Sequence, residues 1–285
     1  MIKVIINADD LGLNPIVNNT IDEALSNGFI TSSTILANSN YLEDVKRIIL
    51  KHPNASFGIH LNLTEGKSLT QSSIFTKFGI IDESGCFVKK QSLKVCPNAD
   101  KELKEAIKKE WMAQVDLLLR SGINLSHADG HHHCHSWYGL ADVLIYVIQF
   151  YKLSKTRQRS YIYPEKLNGK YVIKDVIARL CNLLGLKLYK FNNSFSSHFA
   201  STNYTLVYGN ILRKNDITTT DYFCSYNDMY KIFSSSKLRI NDGDIIELMC
   251  HPGSIRYAEE YNNIKIDKIG IRRNVEYQQI SYKEL

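Results

Sequence analysis

Four short stretches hold most of the residues able to do chemistry. They are Asn7-Ala8-Asp9-Asp10, His60-Leu61-Asn62, the run from His127 to His135, and the run from Glu247 to Gly253 with His251 before Pro252. In the first, two carboxylates are adjacent. Two carboxylates in one small site cannot both be free anions without cost, so one binds a cation or one carries a raised pKa. A metal ligand beside a general base resolves the conflict. The alternative is an acid pair at a strand end that caps the next helix through its backbone N–H groups. In extended backbone Asp9 and Asp10 point to opposite faces, so a break in the strand, helped by Gly12, must turn both to one side.

Five of the nine histidines fall between 127 and 135. In a turn of helix, His127 and His131 share a face. In extended backbone, His127, Asp129, His131, His133 and His135 share one instead. Either geometry offers two nitrogens to one metal, and imidazole ligates in its neutral form, which prevails near pH 7. The alternatives are a solvated loop or an accidental metal-binding tract like an affinity tag; a tag would sit at a terminus without flanking periodicity, whereas this run lies between a strand pattern and a strong helix pattern. His60 follows Phe57-Gly58-Ile59 at a strand end. A lone histidine there is more often a structural hydrogen-bonding residue, and the company of the other clusters makes it a candidate ligand. His251 precedes Pro252-Gly253, so its backbone is extended and then turns. It can serve as acid, base or ligand, or be an exposed turn residue. Cys134 and Cys250 lack convergent spacing and read as packing residues. Lys152, Lys155, Arg157 and Arg159 form the densest basic run, which reads as a solvated face unless an arginine at the start of the next strand enters the site.

These clusters need a scaffold that gathers strand ends. Val4-Ile5-Ile6 reads as a strand buried on both faces. Asn14-Pro15 starts a helix, Val17, Ile21, Ala24 and Leu25 continue it, and Gly28 ends it. The 29–37 stretch is β-rich, Leu42, Val45, Ile48 and Ile49 mark a helix before Pro53, and 56–63 is a further strand. Leu103, Ile107, Trp111, Val115, Leu118 and Leu119 form a helical stripe closed by Gly122. A strand is expected over 123–127, a helix from Leu140 to Tyr151, a strand near Tyr161, a helix from Val176 to Leu184 and a strand from Ile245 to Met249. Strand and helix alternation implies parallel βαβ units. Polar clusters after four strands favour a single-domain α/β fold over 1–285, (β/α) barrel-like with outer helices, over an open doubly wound sheet. The 64–98 stretch, with Gly66, Gly79 and Gly85, reads as an excursion or lid. The 192–226 stretch shows no clear pattern.

Composition narrows the classes. With 44% hydrophobic and 22% charged residues among 285, the chain is not disordered. A net charge of +6 neither demands nor forbids an anionic partner. Six cysteines without a Cys-x-x-Cys pair argue against a zinc ribbon and for a reduced compartment. The first residues reach Asp9-Asp10 before a long apolar core forms, which is not a signal-peptide pattern. No apolar stretch approaches membrane-spanning length. A soluble, cytoplasmic protein with no membrane partner is expected. The lack of Gly-x-Gly-x-x-Gly, P-loop and Gly-x-Ser-x-Gly motifs argues against dinucleotide enzymes, P-loop NTPases and typical serine hydrolases. No basic-aromatic module for nucleic acid is present.

Asn7-Ala8-Asp9-Asp10-Leu11-Gly12-Leu13, Gly28 to Thr34, Gly58 to Thr64, His127 to His135 and Glu247 to Gly253 occur in family order and together resemble the YdjC-like carbohydrate deacetylases. That family includes chitooligosaccharide deacetylases. The run from Ile280 to Leu285 is similar to the family's C-terminal ending. The resemblance implies a (β/α) barrel-like fold, one divalent metal ion, Mg²⁺ or Zn²⁺, and a small N-acetylated saccharide as substrate. It implies Asp10, His60 and His131 as metal ligands, Asp9 as catalytic base and His251 as proton donor. It places His127 and Asp129 behind the ligands or against substrate. Leu11 stands where the family usually has Phe, and Gly130 where Ser is frequent, and both changes spare the implied ligands. The 151–172 and 192–226 stretches match poorly, so the identity of the sugar stays open, as does the oligomeric state, a homo-oligomer included. The rival enzyme reading is a metal-dependent phosphoesterase or amidohydrolase on a similar barrel. The non-enzyme reading is a metal- or sugar-binding barrel without catalysis, and the Asp9-Asp10 pair weighs against it.

Overall fold

The central strand, β1, runs from Ile2 to Leu11 and is buried from Val4 onward. In the computed structural model, which describes residues 1–89, 101–137, 139–159, 176, 180, 184, 207–229, 232, 240–268 and 276–285, six further strands join it. They are β2 (Ser32–Ile35), β3 (Ser56–Leu61), β4 (Ala128–Gly130), β5 (Tyr222–Ser225), β6 (Ile245–Cys250) and β7 (Tyr277–Ile280). Every pairing is parallel, in the order β4-β3-β2-β1-β6-β5. β6 lies along Lys3–Ala8 of β1. The other edge of β1 is shared, with β7 on Ile2–Ile5 and β2 from Asn7 onward. Single bridges close the ring: Ala128 of β4 to Thr156, then Lys155 to Thr218, whose chain enters β5. The result is the expected α/β barrel-like architecture with parallel strands.

Among the described residues the outer helices include α1 (Pro15–Ser26), α2 (Leu42–Lys51), α3 (Ser73–Lys77), α4 (Lys101–Arg120), α5 (Ala141–Phe150) and α6 (Ala258–Lys268). Local chemistry explains α1: Asn14 Oδ1 accepts from Val17 N at 3.0 Å, Pro15 occupies the first turn, and Gly28 leaves it at φ 64°. Its apolar face, Val17, Ile21, Ala24 and Leu25, is buried. In α4, Leu103, Ile107, Trp111, Val115 and Leu118 are buried while Leu119 is exposed. Among the described residues, no helix is long and apolar enough to cross a membrane.

The strands alternate as a barrel requires. Val4, Ile6, Ala8, Ile59, Leu61, Ile246 and Leu248 join the main apolar core between strands and helices. The interior side carries polar groups instead, including Asn7, Asp9, Thr34, His60, His127, Asp129 and Glu247, all nearly inaccessible to solvent. A buried interior of this polarity is stable only if its members satisfy one another.

One expected element differs, and β5 was not expected. The strand expected over 123–127 is instead the short β4, although Ser126 N and His127 O already bond to the β3 backbone. β5 lies inside a stretch without readable pattern, because four residues are too few to show alternation. The strand near Tyr161 lies outside the described residues, as does most of the helix expected over 176–184. The described part of the 64–98 excursion is pinned to the barrel. Glu110 of α4 accepts from Ser68 Oγ, Leu69 N, Thr70 N and Thr70 Oγ1 at 2.7–3.0 Å, and Phe75, Ile80 and Phe87 are buried.

Candidate metal centre

The register of β1 against β2 shifts between Ala8 and Leu11. Asp10 there takes φ 72°, a left-handed conformation that costs energy in a residue with a Cβ. This kink lets two consecutive aspartates reach one chamber instead of opposite faces. Gly12 completes the turn at φ 99°, and a Cβ on it would sit 3.1 Å from Ser39 Cβ.

Asp10 Oδ1 lies 2.8 Å from His131 Nδ1 and 3.3 Å from His60 Nε2. One donor atom from each of the three residues falls within 4.8 Å of the other two. The contacts are short, yet the buried Oδ1 receives no well-directed hydrogen bond. That is the disposition of lone pairs converging on one cation, and a His₂–carboxylate set suits a divalent ion with positions left for water and substrate. Burial opposes charge on Asp10, but the two imidazoles outweigh it and hold its carboxyl well below the usual range.

Supporting groups fix His60. Its Nδ1 is 2.5 Å from Asp129 Oδ1 and 3.1 Å from Thr34 Oγ1. Thr34 in turn donates to Asp129 Oδ2 at 3.1 Å and accepts from Asn7 Nδ2 at 3.4 Å. With Nδ1–H given to a carboxylate, Nε2 is the nitrogen that turns a lone pair to the site. Burial opposes a proton on this ring, but Asp129 and Asp10 outweigh it and lift His60 to about 10. The chamber therefore favours a positive charge at this point.

The 127–135 run adopts neither a helix face nor an extended face. After β4 it turns into a 3₁₀ segment, His131–Ser136, with His132 and His133 both left-handed at φ 49° and 57°. Of its five histidines, only His131 faces Asp10. His132 Nδ1 contacts Thr64 Oγ1 at 2.8 Å, and His133 packs edge-on to Phe223. His127 sits a layer lower, stacked on Tyr282. Burial pushes the His133 imidazole down to about 3, and pushes His127 and His135 well below the ordinary range.

Asp9 is held by an arginine. Arg157, fully buried, donates Nη1 to Asp9 Oδ2 at 2.8 Å and Nη2 to Asp9 Oδ1 at 2.7 Å. Its Nε donates to Glu247 Oε1 at 2.7 Å, and Nη2 also lies 2.9 Å from Asp129 Oδ2. Burial opposes the Asp9 charge, but this bidentate partner outweighs it and keeps the carboxyl ionised. Asp9, His60 and Asp129 also approach a metal-ligand arrangement, but Arg157 already supplies their positive charge. Asn7 Nδ2 adds a bond to Asp9 Oδ1 at 2.9 Å.

His251 follows β6 at the more open side of the chamber. Its backbone N donates to Glu260 Oε2 at 2.7 Å, its Nδ1 lies 3.3 Å from the same oxygen, and Tyr257 stacks on its ring at 4.3 Å. Burial opposes its charge, while Glu260, Asp9 and Asp10 raise its pKa.

The chamber thus gathers Asp9, Asp10, His60, Asp129 and His131, with His251 beside them, and leaves His127 beneath. Sequence reasoning missed Glu247, Thr34, Tyr282 and Glu260 as parts of this network. Of the basic run, expected to be a solvated face unless an arginine entered the site, Arg157 is that arginine: its side chain is buried among three carboxylates. Cys134 and Cys250 are buried, as packing residues would be.

A family profile described as YdjC-like protein matches residues 3–285. The chain is 33% identical over 143 residues to a carbohydrate deacetylase of Oceanobacillus iheyensis, covering 50% of this chain and 59% of that protein. It is 33% identical over 152 residues to one of Halalkalibacterium halodurans, covering 53% and 62%. It is 34% identical over 149 residues to one of Vibrio cholerae, covering 52% and 56%. These matches span less than two thirds of the relatives' length. A solved structure from Enterococcus faecalis V583, described as a candidate cellobiose-phosphate cleavage protein, matches with TM-score 0.62 at 22% identity, over 99% of this chain and 98% of that one. That likeness is one of fold.

Proposed function

The chain belongs to the YdjC-like family, and from that premise we propose that it is a metal-dependent carbohydrate deacetylase. The reaction is hydrolysis of the acetamido group of an N-acetylated amino sugar or oligosaccharide to acetate and a free amine. The observation that carries this reading is the convergence of Asp10, His60 and His131 on one point, beside an Asp9 held ionised by Arg157. The names of the relatives from O. iheyensis, H. halodurans and V. cholerae support the same activity.

Asp10, His60 and His131 would hold the ion, and Asp129 and Thr34 keep the His60 ring in the required tautomer. A divalent cation there supplies a Lewis acid that polarises the amide carbonyl and makes a water more acidic. The pair of imidazoles leans towards Zn²⁺, although availability can favour Mg²⁺. Asp9 accepts the proton of the attacking water as its oxygen adds to the carbonyl carbon. Arg157 orients the Asp9 carboxylate for that transfer. His251 delivers a proton to the nitrogen as the C–N bond breaks, and Glu260 both aims its ring and favours its protonated form.

The test is an acetate-release screen against chitooligosaccharides and other acetamido sugars, with and without chelator. Release that stops with chelator and returns with Mg²⁺ or Zn²⁺ supports the reading. Metal-loaded protein that releases no acetate from the panel overturns it.

A further inference from the structure

We propose that Tyr282 is a positioning residue for Asp9, acting from the floor of the barrel through Glu247 and Arg157. The inference rests on the reading of Asp9 as the base. The segment after β7 turns under the barrel, its turn fixed by Ser281 N donating to Glu284 Oε2 at 2.7 Å. Tyr282 N donates to Ser32 Oγ at 3.3 Å and Lys283 N to Ser56 Oγ at 2.9 Å. Lys155 Nζ donates to Tyr282 O at 2.7 Å and Lys283 O at 3.1 Å. The segment is thereby stitched to β2, to β3 and to the 154–157 chain that carries Arg157.

The Tyr282 side chain points up into the barrel and is fully buried. Its ring stacks on His127 with centroids 3.6 Å apart and planes 7° from parallel. Gly58 makes room for that pair, since a Cβ there would meet the His127 ring at 2.6 Å. The Tyr282 hydroxyl donates to Glu247 Oε2 at 2.5 Å, within the range of a strong bond to an ionised carboxylate. Glu247 Oε1 takes Arg157 Nε and lies 2.7 Å from Nη2 as well, while Nη1 and Nη2 fork on Asp9, so Nη2 is shared between the two carboxylates and Asp129.

Three carboxylates compete for Arg157, so its orientation depends on what fixes each of them. Tyr282 fixes Glu247. Without the hydroxyl, Oε2 loses its donor in a site closed to water, Glu247 turns that oxygen to the guanidinium, and the fork loosens on Asp9. A residue that merely plugged the floor would need only the ring.

The test compares wild type with Tyr282→Phe and Tyr282→Leu in the full chain. Tyr282→Phe keeps the ring on His127. It should leave Zn²⁺ affinity by calorimetry and KM for an acetamido sugar within about twofold, lower Tm only by the loss of one buried hydrogen bond, and lower kcat by about 10-fold or more. Tyr282→Leu should lose the stacked ring too and fall further in Tm. An unchanged kcat in Tyr282→Phe, or a loss only in step with Tm, overturns the inference. A second readout does not depend on acetate release: the Arg157 Nε–H resonance in ¹⁵N-labelled protein. Its hydrogen exchange should accelerate at least 10-fold in Tyr282→Phe, and an unaltered resonance overturns the coupling. Wild-type protein that releases no acetate counts against the proposed activity instead.

Discussion

His60 Nδ1 lies 2.5 Å from Asp129 Oδ1, and this contact decides which nitrogen of the ring faces Asp10. Asp129→Asn keeps an acceptor at that place but removes the charge that makes His60 a strong donor to a metal. Zn²⁺ affinity measured by calorimetry should fall about 10–100-fold. Asp129→Ala, which also removes the acceptor, should fall further. Equal affinity in all three proteins would mean that His60 does not bind the ion.

The ligand set is tested by deletion. His60→Ala and His131→Ala should each leave a folded protein that no longer retains metal through dialysis, read by elemental analysis. His127→Ala should retain the metal, because its ring stacks on Tyr282 in the layer below. Metal retained by His131→Ala would show that the convergence on Asp10 is not the binding site.

Asp9→Asn separates base from ligand. The amide can still face Arg157 but cannot take a proton, so metal should stay bound while kcat for acetate release falls by about 10²–10⁴-fold. Wild-type turnover in this variant would remove Asp9 as the base.

How much of this was legible in the chain depends on the range of the interactions. The start of α1 was readable because its cap is made by neighbours, Asn14 and Val17. The pairing of Asp9 and Asp10 announced a divided role, since adjacent carboxylates must differ in environment. Whether Arg157 faces solvent or enters the site stays open in the sequence, because its burial depends on Thr156 bridging to β4 and Lys155 bridging to Thr218, residues far away in sequence. In the 127–135 run, period arguments failed for another reason. Two left-handed residues, His132 and His133, break both the helical and the extended period and leave His131 as the member that meets Asp10. Glu247 and Tyr282 lie within recognised motifs, but only the closed barrel shows that one donates to the other.

Burial of neutral imidazoles sets an acid limit on stability. His127 and His135 are nearly inaccessible, and burial holds both well below the ordinary histidine value of 6.5. In the native state both resist taking up a proton as the pH falls below 6.5, whereas in the unfolded chain both take one up. The unfolded state then binds more protons, so stability falls as pH falls, by up to about 1.4 kcal/mol per histidine for each pH unit below 6.5. Above 6.5 this contribution vanishes. Between pH 8 and 6.5 His60, lifted to about 10, adds stability as the pH falls, so the decline of Tm should be read from pH 6.5 to pH 5. His133, pushed down to about 3, acts in the same direction, so His135→Leu removes one of several such rings and should make the decline shallower without altering its onset. A wild-type Tm that holds constant down to pH 5 would mean that these rings accept protons in the folded protein, against their enclosure in the barrel wall and floor.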